Sequence, residues 1–231
     1  MRVLDLFPRS IFQGDLESVL LKRLNMFAEG ILSNPHNSPD ASYKLAGQLN
    51  QQRELVLQHP LIQELCNQSI LPACETWIRH VLDREPPQGR GPWHPGCYQL
   101  QMIDIWLNSQ KSGDYNPTHT HGGSFSGVLY LKVPDQINSQ SFDGQLCFHG
   151  PEEWNIQSFR TGMAHYVLPV AGQFYVFPAW QPHSVAPFRG EGERWSIAFN
   201  VMAIPKAAKR PETMTVKNVS LSTSRAASKG F

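Results

Sequence analysis

The sequence predicts an α+β, mainly β fold: a β-sandwich or jelly roll preceded by helices that pack on one of its sheets. Three observations carry this. Apolar residues recur every three or four positions up to about residue 90, and short β-branched and aromatic runs replace them beyond it. Seven such runs follow one another with Gly, Pro and Asn turns between them and no helical pattern. The 231 residues, 41% of them hydrophobic, suffice for one sizeable core with a helical annex.

Leu16, Leu20, Leu24, Phe27 and Ile31 form one apolar helical stripe, with Asp15 placed as its N-cap. HNSPDAS (36–42) breaks the pattern and caps a second, more polar helix through about Leu57. A third stretch runs from about Leu61 to Leu82, with Ile62, Leu65, Ser69, Ala73, Trp77 and Val81 near one face. Pro72 inside it predicts a kink or a division into two short helices. EPPQGRGPWHPG (85–96) is a connector. The predicted strands are 97–108, 125–133, 144–150, 164–169, 172–178, 183–188 and 194–202. The expected organisation is one domain over 1–205, helical to residue 90 and β from 91, followed by a basic, flexible tail over 206–231.

Charged residues make up 17% and the formal net charge is +1, so nothing suggests a nucleic-acid footprint across the whole molecule. The tail from Lys206 holds six basic residues against one acidic, a local +5 that leaves −4 on the remainder. The four cysteines (66, 74, 97 and 147) form no C-x-x-C pair and read as reduced thiols. The start MRVLDLFPRS lacks a signal-peptide pattern, and no apolar run is long enough to span a membrane. The expected location is cytoplasmic, and a homodimer is the default expectation for assembly.

Among nine histidines, His119 and His121 stand out in GDYNPTHTHGGSFSGVLYL. In an extended segment residues i and i+2 point to one side, so two imidazoles here can face one ion, and the Gly-Gly that follows leaves room for a ligand. Alone, H-x-H fits better two exposed loop histidines, or one histidine bonded to a backbone carbonyl. His183, in FPAWQPHSVAPF, opens a strand after a Trp-Gln-Pro turn and is the candidate third ligand. Imidazole suits iron, zinc, copper and nickel alike, so ligand type does not name the metal. Arg194 starts an apolar strand, with Ser196 on its side two residues on. By itself it fits a surface arginine; set after a metal histidine, its forked donors fit a carboxylate, with the hydroxyl as a further donor.

With these residues in place, the sequence resembles the 2-oxoglutarate- and iron(II)-dependent oxygenase superfamily. The resemblance rests on His119-Thr120-His121, then His183, then Arg194-Trp195-Ser196. More narrowly it resembles a prolyl-hydroxylase-like branch, through NPTHTHGG, SGVLYL, GQLCFHGP, GQFYVFPAWQPH and RWSIAFN in order over roughly 105–200. It implies a double-stranded β-helix (cupin-like jelly roll), Fe(II) held by His119, His121 and His183, and 2-oxoglutarate gripped by Arg194 and Ser196, with Tyr130 contacting its distal carboxylate. O2 and an unidentified peptide or small molecule would be the remaining reactants. The superfamily usually supplies one carboxylate ligand, and His121 stands in its place; Asp114 is the nearest upstream carboxylate that a folded-back loop could recruit. Asn108 and Asn200 are candidates for the pocket wall. Phe177 and Trp180 are expected to pack, and His149 and His165 to be structural. The rival readings are a three-histidine cupin of the thiol-dioxygenase kind, and a module that holds a structural metal or none.

Overall fold

The computed structural model describes residues 9–44, 47–84, 94, 96–150 and 164–206. Most of the 85–96 connector and the tail beyond Lys206 lie outside the described residues. Strand β1 (Phe12–Asp15) comes first, then helix α1 (Ser18–Ser33). Asp15 therefore ends a strand, and Glu17 holds the N-cap position with no side-chain cap bond. The α1 stripe buries Leu20, Leu24, Ala28 and Leu32.

The polar helix expected over 42–57 is not formed. A short 3-10 turn (Ser42–Lys44) leads instead to strand β2 (Gln51–Glu54). Its QQRE sequence suits a helix as well as a strand, and tertiary pairing decides. Helix α2 (Pro60–Leu65), a π-helical turn (Cys66–Ile70) and helix α3 (Leu71–Arg84) follow. Pro72 sits in the first turn of α3, where a missing N–H costs little, and the wide turn before it absorbs the break.

The strands that follow are β3 (Tyr98–Gln110), β4 (Asn116–His119), β5 (Phe125–Lys132), β6 (Leu146–His149), β7 (Ala164–Val167), β8 (Gln173–Pro178), β9 (His183–Val185) and β10 (Arg194–Pro205). They form two antiparallel sheets, β1-β8-β5-β10-β3-β2 and β4-β9-β6-β7. β1, β2 and β4 are too short, or too polar, to have registered as strands in the sequence.

The two-residue period of the large sheet divides its side chains between two environments. Ile105, Leu107, Phe125, Leu129, Phe174, Val176, Ile197 and Phe199 face the helices, in one cluster with Leu20, Leu24, Ile62 and Leu65. The alternate residues Tyr130, Tyr175 and Phe177 meet Leu146, Phe148 and Val167 of the small sheet. Gly127 permits a close approach within the large sheet: a Cβ there would collide with the Phe199 ring and the Tyr175 carbonyl oxygen. No helix among the described residues is long and apolar enough to cross a membrane.

Candidate active site

Register brings the histidines together. His119 ends β4 and His183 begins β9, and the two are cross-strand partners. His121 follows in the turn, fixed by its backbone N–H donating to the Ala179 carbonyl at 2.9 Å. The ring centroids of His119 lie 4.8 Å from His121 and 4.3 Å from His183. One nitrogen from each of the three rings falls within 4.8 Å of the others, with His121 Nε2 and His183 Nε2 3.3 Å apart.

The far nitrogens of two rings are already engaged. His119 Nδ1 donates to the Pro117 carbonyl at 2.7 Å, and His183 Nδ1 to the Gln181 carbonyl at 2.9 Å. These bonds select the tautomer that leaves each Nε2 lone pair facing its neighbours. Burial lowers all three histidine pKa values. Burial, together with nearness to His119, brings His121 to about 4 and His183 to about 3. The rings are neutral at physiological pH, the form that ligates a metal. Three neutral, pre-oriented imidazoles around one point fit a divalent transition ion. Asp114 is not in this group: its carboxylate accepts from the backbone N–H of Asn50 at 2.6 Å and of Lys111 at 2.9 Å, which ties down the loop before β4.

The imidazoles stand on a cavity of about 240 Å³ that runs between the sheets, lined also by Trp106, Asn108, Gln110, Tyr130, Ser196 and Arg194. Arg194 is 2% exposed. Its fork donates to the Gly144 carbonyl and to Oε1 of Gln110, its cross-strand partner, while its Nε is buried without a partner. Its Cζ lies 5.7 Å from the centre of the Tyr130 ring. Both named acceptors are neutral, and among the described residues no Asp or Glu lines the cavity. Desolvation consequently lowers the Arg194 pKa and pushes the Tyr130 hydroxyl up to about 12. A guanidinium buried this way, with donors to spare, fits an anion entering from the cavity. Ser196 is buried on the same face, paired across the sheet with Tyr130 and Asn108.

The remaining expectations divide. Asn108 lines the cavity. Asn200 is buried on the same face of β10, with its Oδ1 unpartnered, but is not part of the cavity wall. Phe177 packs against His183, with ring centres 4.7 Å apart. Trp180 does not pack inside: it is 59% exposed, with the Arg9 guanidinium over its ring. His149 bonds Ser184 Oγ at 2.8 Å, outside the imidazole group, and His165 is exposed. Sequence reasoning missed Gln110 and the Gly144 carbonyl, which hold Arg194, and Asn116, whose Nδ2 lies 3.3 Å from His119 Nε2. The alternation that places Asn108 inward would have placed Gln110 inward too, had the strand been carried two residues further.

A jelly roll with three convergent imidazoles on a cavity that also holds a buried guanidinium defines a double-stranded β-helix with a group that could hold a metal ion. A model of the family described as "Putative 2OG-Fe(II) oxygenase" matches residues 104–200, the stretch that holds all three histidines, Arg194 and Ser196. No sequence among curated proteins matches the chain. Among solved structures, the chain is similar to a prolyl-4-hydroxylase from Pseudomonas putida, at 16% identity over 86% of this chain and 94% of that one, with a TM-score of 0.57. It is also similar to the epimerase SnoN in complex with Fe3+, alpha-ketoglutarate and nogalamycin RO, at 15% identity over 84% and 79%, with a TM-score of 0.54. A third is HygX from Streptomyces hygroscopicus with nickel and 2-oxoglutarate bound, at 11% identity over 84% and 82%, with a TM-score of 0.51. At these identities the structures testify to the fold. The matched stretch covers less than half of the chain, and beside it the shared fold makes the chain similar to 2-oxoglutarate/Fe(II) oxygenases.

Proposed function

We propose that this protein is a 2-oxoglutarate-dependent oxygenase that hydroxylates a C–H bond of a peptidyl side chain or a small molecule, with Fe(II) held by His119, His121 and His183. The observation that carries the reading is that one cavity joins a convergent imidazole group to a buried guanidinium that no carboxylate among the described residues neutralises. When bound, iron and 2-oxoglutarate together supply oxidative decarboxylation to succinate and CO2, coupled to transfer of oxygen from O2 to the substrate.

The chain's own residues prepare this. The backbone carbonyls of Pro117 and Gln181 hold two rings in the ligating tautomer. Gln110 and the Gly144 carbonyl hold the Arg194 fork, so that its remaining N–H donors, with the Ser196 and Tyr130 hydroxyls, grip the distal carboxylate of 2-oxoglutarate. Phe148 and Phe177 keep water from the back of His183. Place of action is the cytoplasm, a reading supported by four free thiols.

One observation favours a second reading. No carboxylate joins the imidazole group among the described residues, and three imidazoles are also the ligand set of cupins that use no 2-oxoglutarate. The visible spectrum separates the two. Anaerobic protein with Fe(II) should develop a weak charge-transfer band on addition of 2-oxoglutarate, and His183→Ala should abolish it. Iron binding without any such band would leave the cupin reading.

A further inference from the structure

We infer that Asn116 is a co-substrate clamp, its carboxamide donating a hydrogen bond to the metal-chelating end of 2-oxoglutarate. The inference rests on the reading of the cavity given above. Its ground is the position and orientation of one side chain that neither the metal group nor the Arg194 grip uses.

The register of the small sheet fixes where Asn116 stands. On β4 and β9, His119 pairs with His183 and Asn116 pairs with Val185. Val185 in turn pairs with Leu146, and the neighbouring Gly144 carbonyl receives the Arg194 fork. Walking from the imidazoles toward the guanidinium along this sheet therefore passes Asn116. It lines the trough between metal group and acid grip, where a molecule bridging the two must lie.

Its orientation follows from the neighbouring ring. His119 Nδ1 carries the proton it donates to Pro117, so its Nε2 presents a lone pair. The Asn116 atom 3.3 Å from that lone pair must then be the NH2 group, since the amide oxygen would face it lone pair to lone pair. This Nε2 is the nitrogen that converges with the other two rings. An ion and an N–H cannot share one lone pair. With metal on the ring, the Asn116 donor stands beside the ion and needs a new acceptor, and the anionic oxygens that chelate the ion supply one.

The rest of the carboxamide is not tied down. Asn116 Oδ1 is buried and has no hydrogen-bond partner. A buried amide that served only to hold the fold would have both ends satisfied. Nor is the group needed to aim the His119 ring, because the Pro117 carbonyl already does so. Half-buried in the trough with one end unsatisfied, the side chain is left to turn its donor onto a bound ligand.

Calorimetry of 2-oxoglutarate into Mn(II)-loaded protein tests this, alongside the visible band of the anaerobic Fe(II) form. Asn116→Ala should weaken 2-oxoglutarate about tenfold to a hundredfold, the share of one charge-assisted hydrogen bond, and shift the band maximum. Its Mn(II) affinity should stay within about twofold of wild type. Asn116→Asp keeps the shape and replaces the donor by an anion, and should weaken 2-oxoglutarate at least as much. Unchanged 2-oxoglutarate affinity in Asn116→Ala overturns the inference. Parallel loss of Mn(II) and 2-oxoglutarate overturns it too, because Asn116 would then merely support His119. If the wild type itself takes up Mn(II) but no 2-oxoglutarate, the reading of the cavity fails first, and the clamp with it.

Discussion

Arg194 brings a full charge into a wall built of neutral groups. The fold meets part of the cost with Gln110 and the Gly144 carbonyl, and leaves the rest to a ligand. Arg194→Met keeps the apolar stem and removes the charge. The expected result is a Kd for 2-oxoglutarate raised roughly 30-fold or more, with Mn(II) affinity nearly intact, both read by calorimetry. Equal affinity in the mutant would mean that the acid end lies elsewhere. His121 poses the complementary question at the metal. Three neutral imidazoles leave the ion its full dipositive charge, which strengthens its pull on a dianion. His121→Asp restores the superfamily's usual carboxylate and places an anion beside the co-substrate. It should hold Mn(II) more tightly than wild type and 2-oxoglutarate about tenfold less tightly. Gain or loss in both together would argue against this charge balance.

At the scale of elements, the site depends on strands held in one register. Gly127 lies on β5 opposite Phe199 of β10 and Val176 of β8, and there is no space for a methyl group between Phe199 and the Tyr175 carbonyl. Gly127→Ala should cost about 1–3 kcal/mol by overpacking and lower Tm by roughly 5 °C in a chain of this size, read by circular dichroism. A mutant as stable as wild type would mean that β5 shifts freely against β10. The long inner strands were legible in the sequence because alternation and Gly/Pro punctuation mark them without reference to partners. Residues 51–54 were not, because a polar four-residue strand exists only through its pairing with β3. The same division holds within the site. His119, His121 and His183 were legible from their spacing and from the resemblance of the blocks around them. Gln110, the Gly144 carbonyl and Asn116 were not, since each acquires its role only across strands or from a neighbouring ring, as Gln110 does opposite Arg194.

The whole molecule is three layers: helices, the large sheet and the small sheet. The large sheet separates two apolar clusters with different work. The one toward the helices unites Leu24, Ile62 and Leu65 with Leu107, Leu129 and Phe199, and supplies most of the buried apolar area. The one toward the small sheet is smaller and surrounds the cavity. Because the strands alternate their side chains between the two, a cavity cut into the helix side removes stability without removing any group that lines the site. Leu24 is fully buried in α1 and does not line the cavity. Leu24→Ala should therefore lose about 2–5 kcal/mol in urea unfolding, while its Kd for 2-oxoglutarate in the Mn(II)-loaded form, at a temperature where it remains folded, stays within about twofold of wild type. A Kd that worsened in step with the lost stability would show that the sheet transmits helix packing to Arg194 and the imidazoles, and that the helical layer tunes the site as well as supporting it.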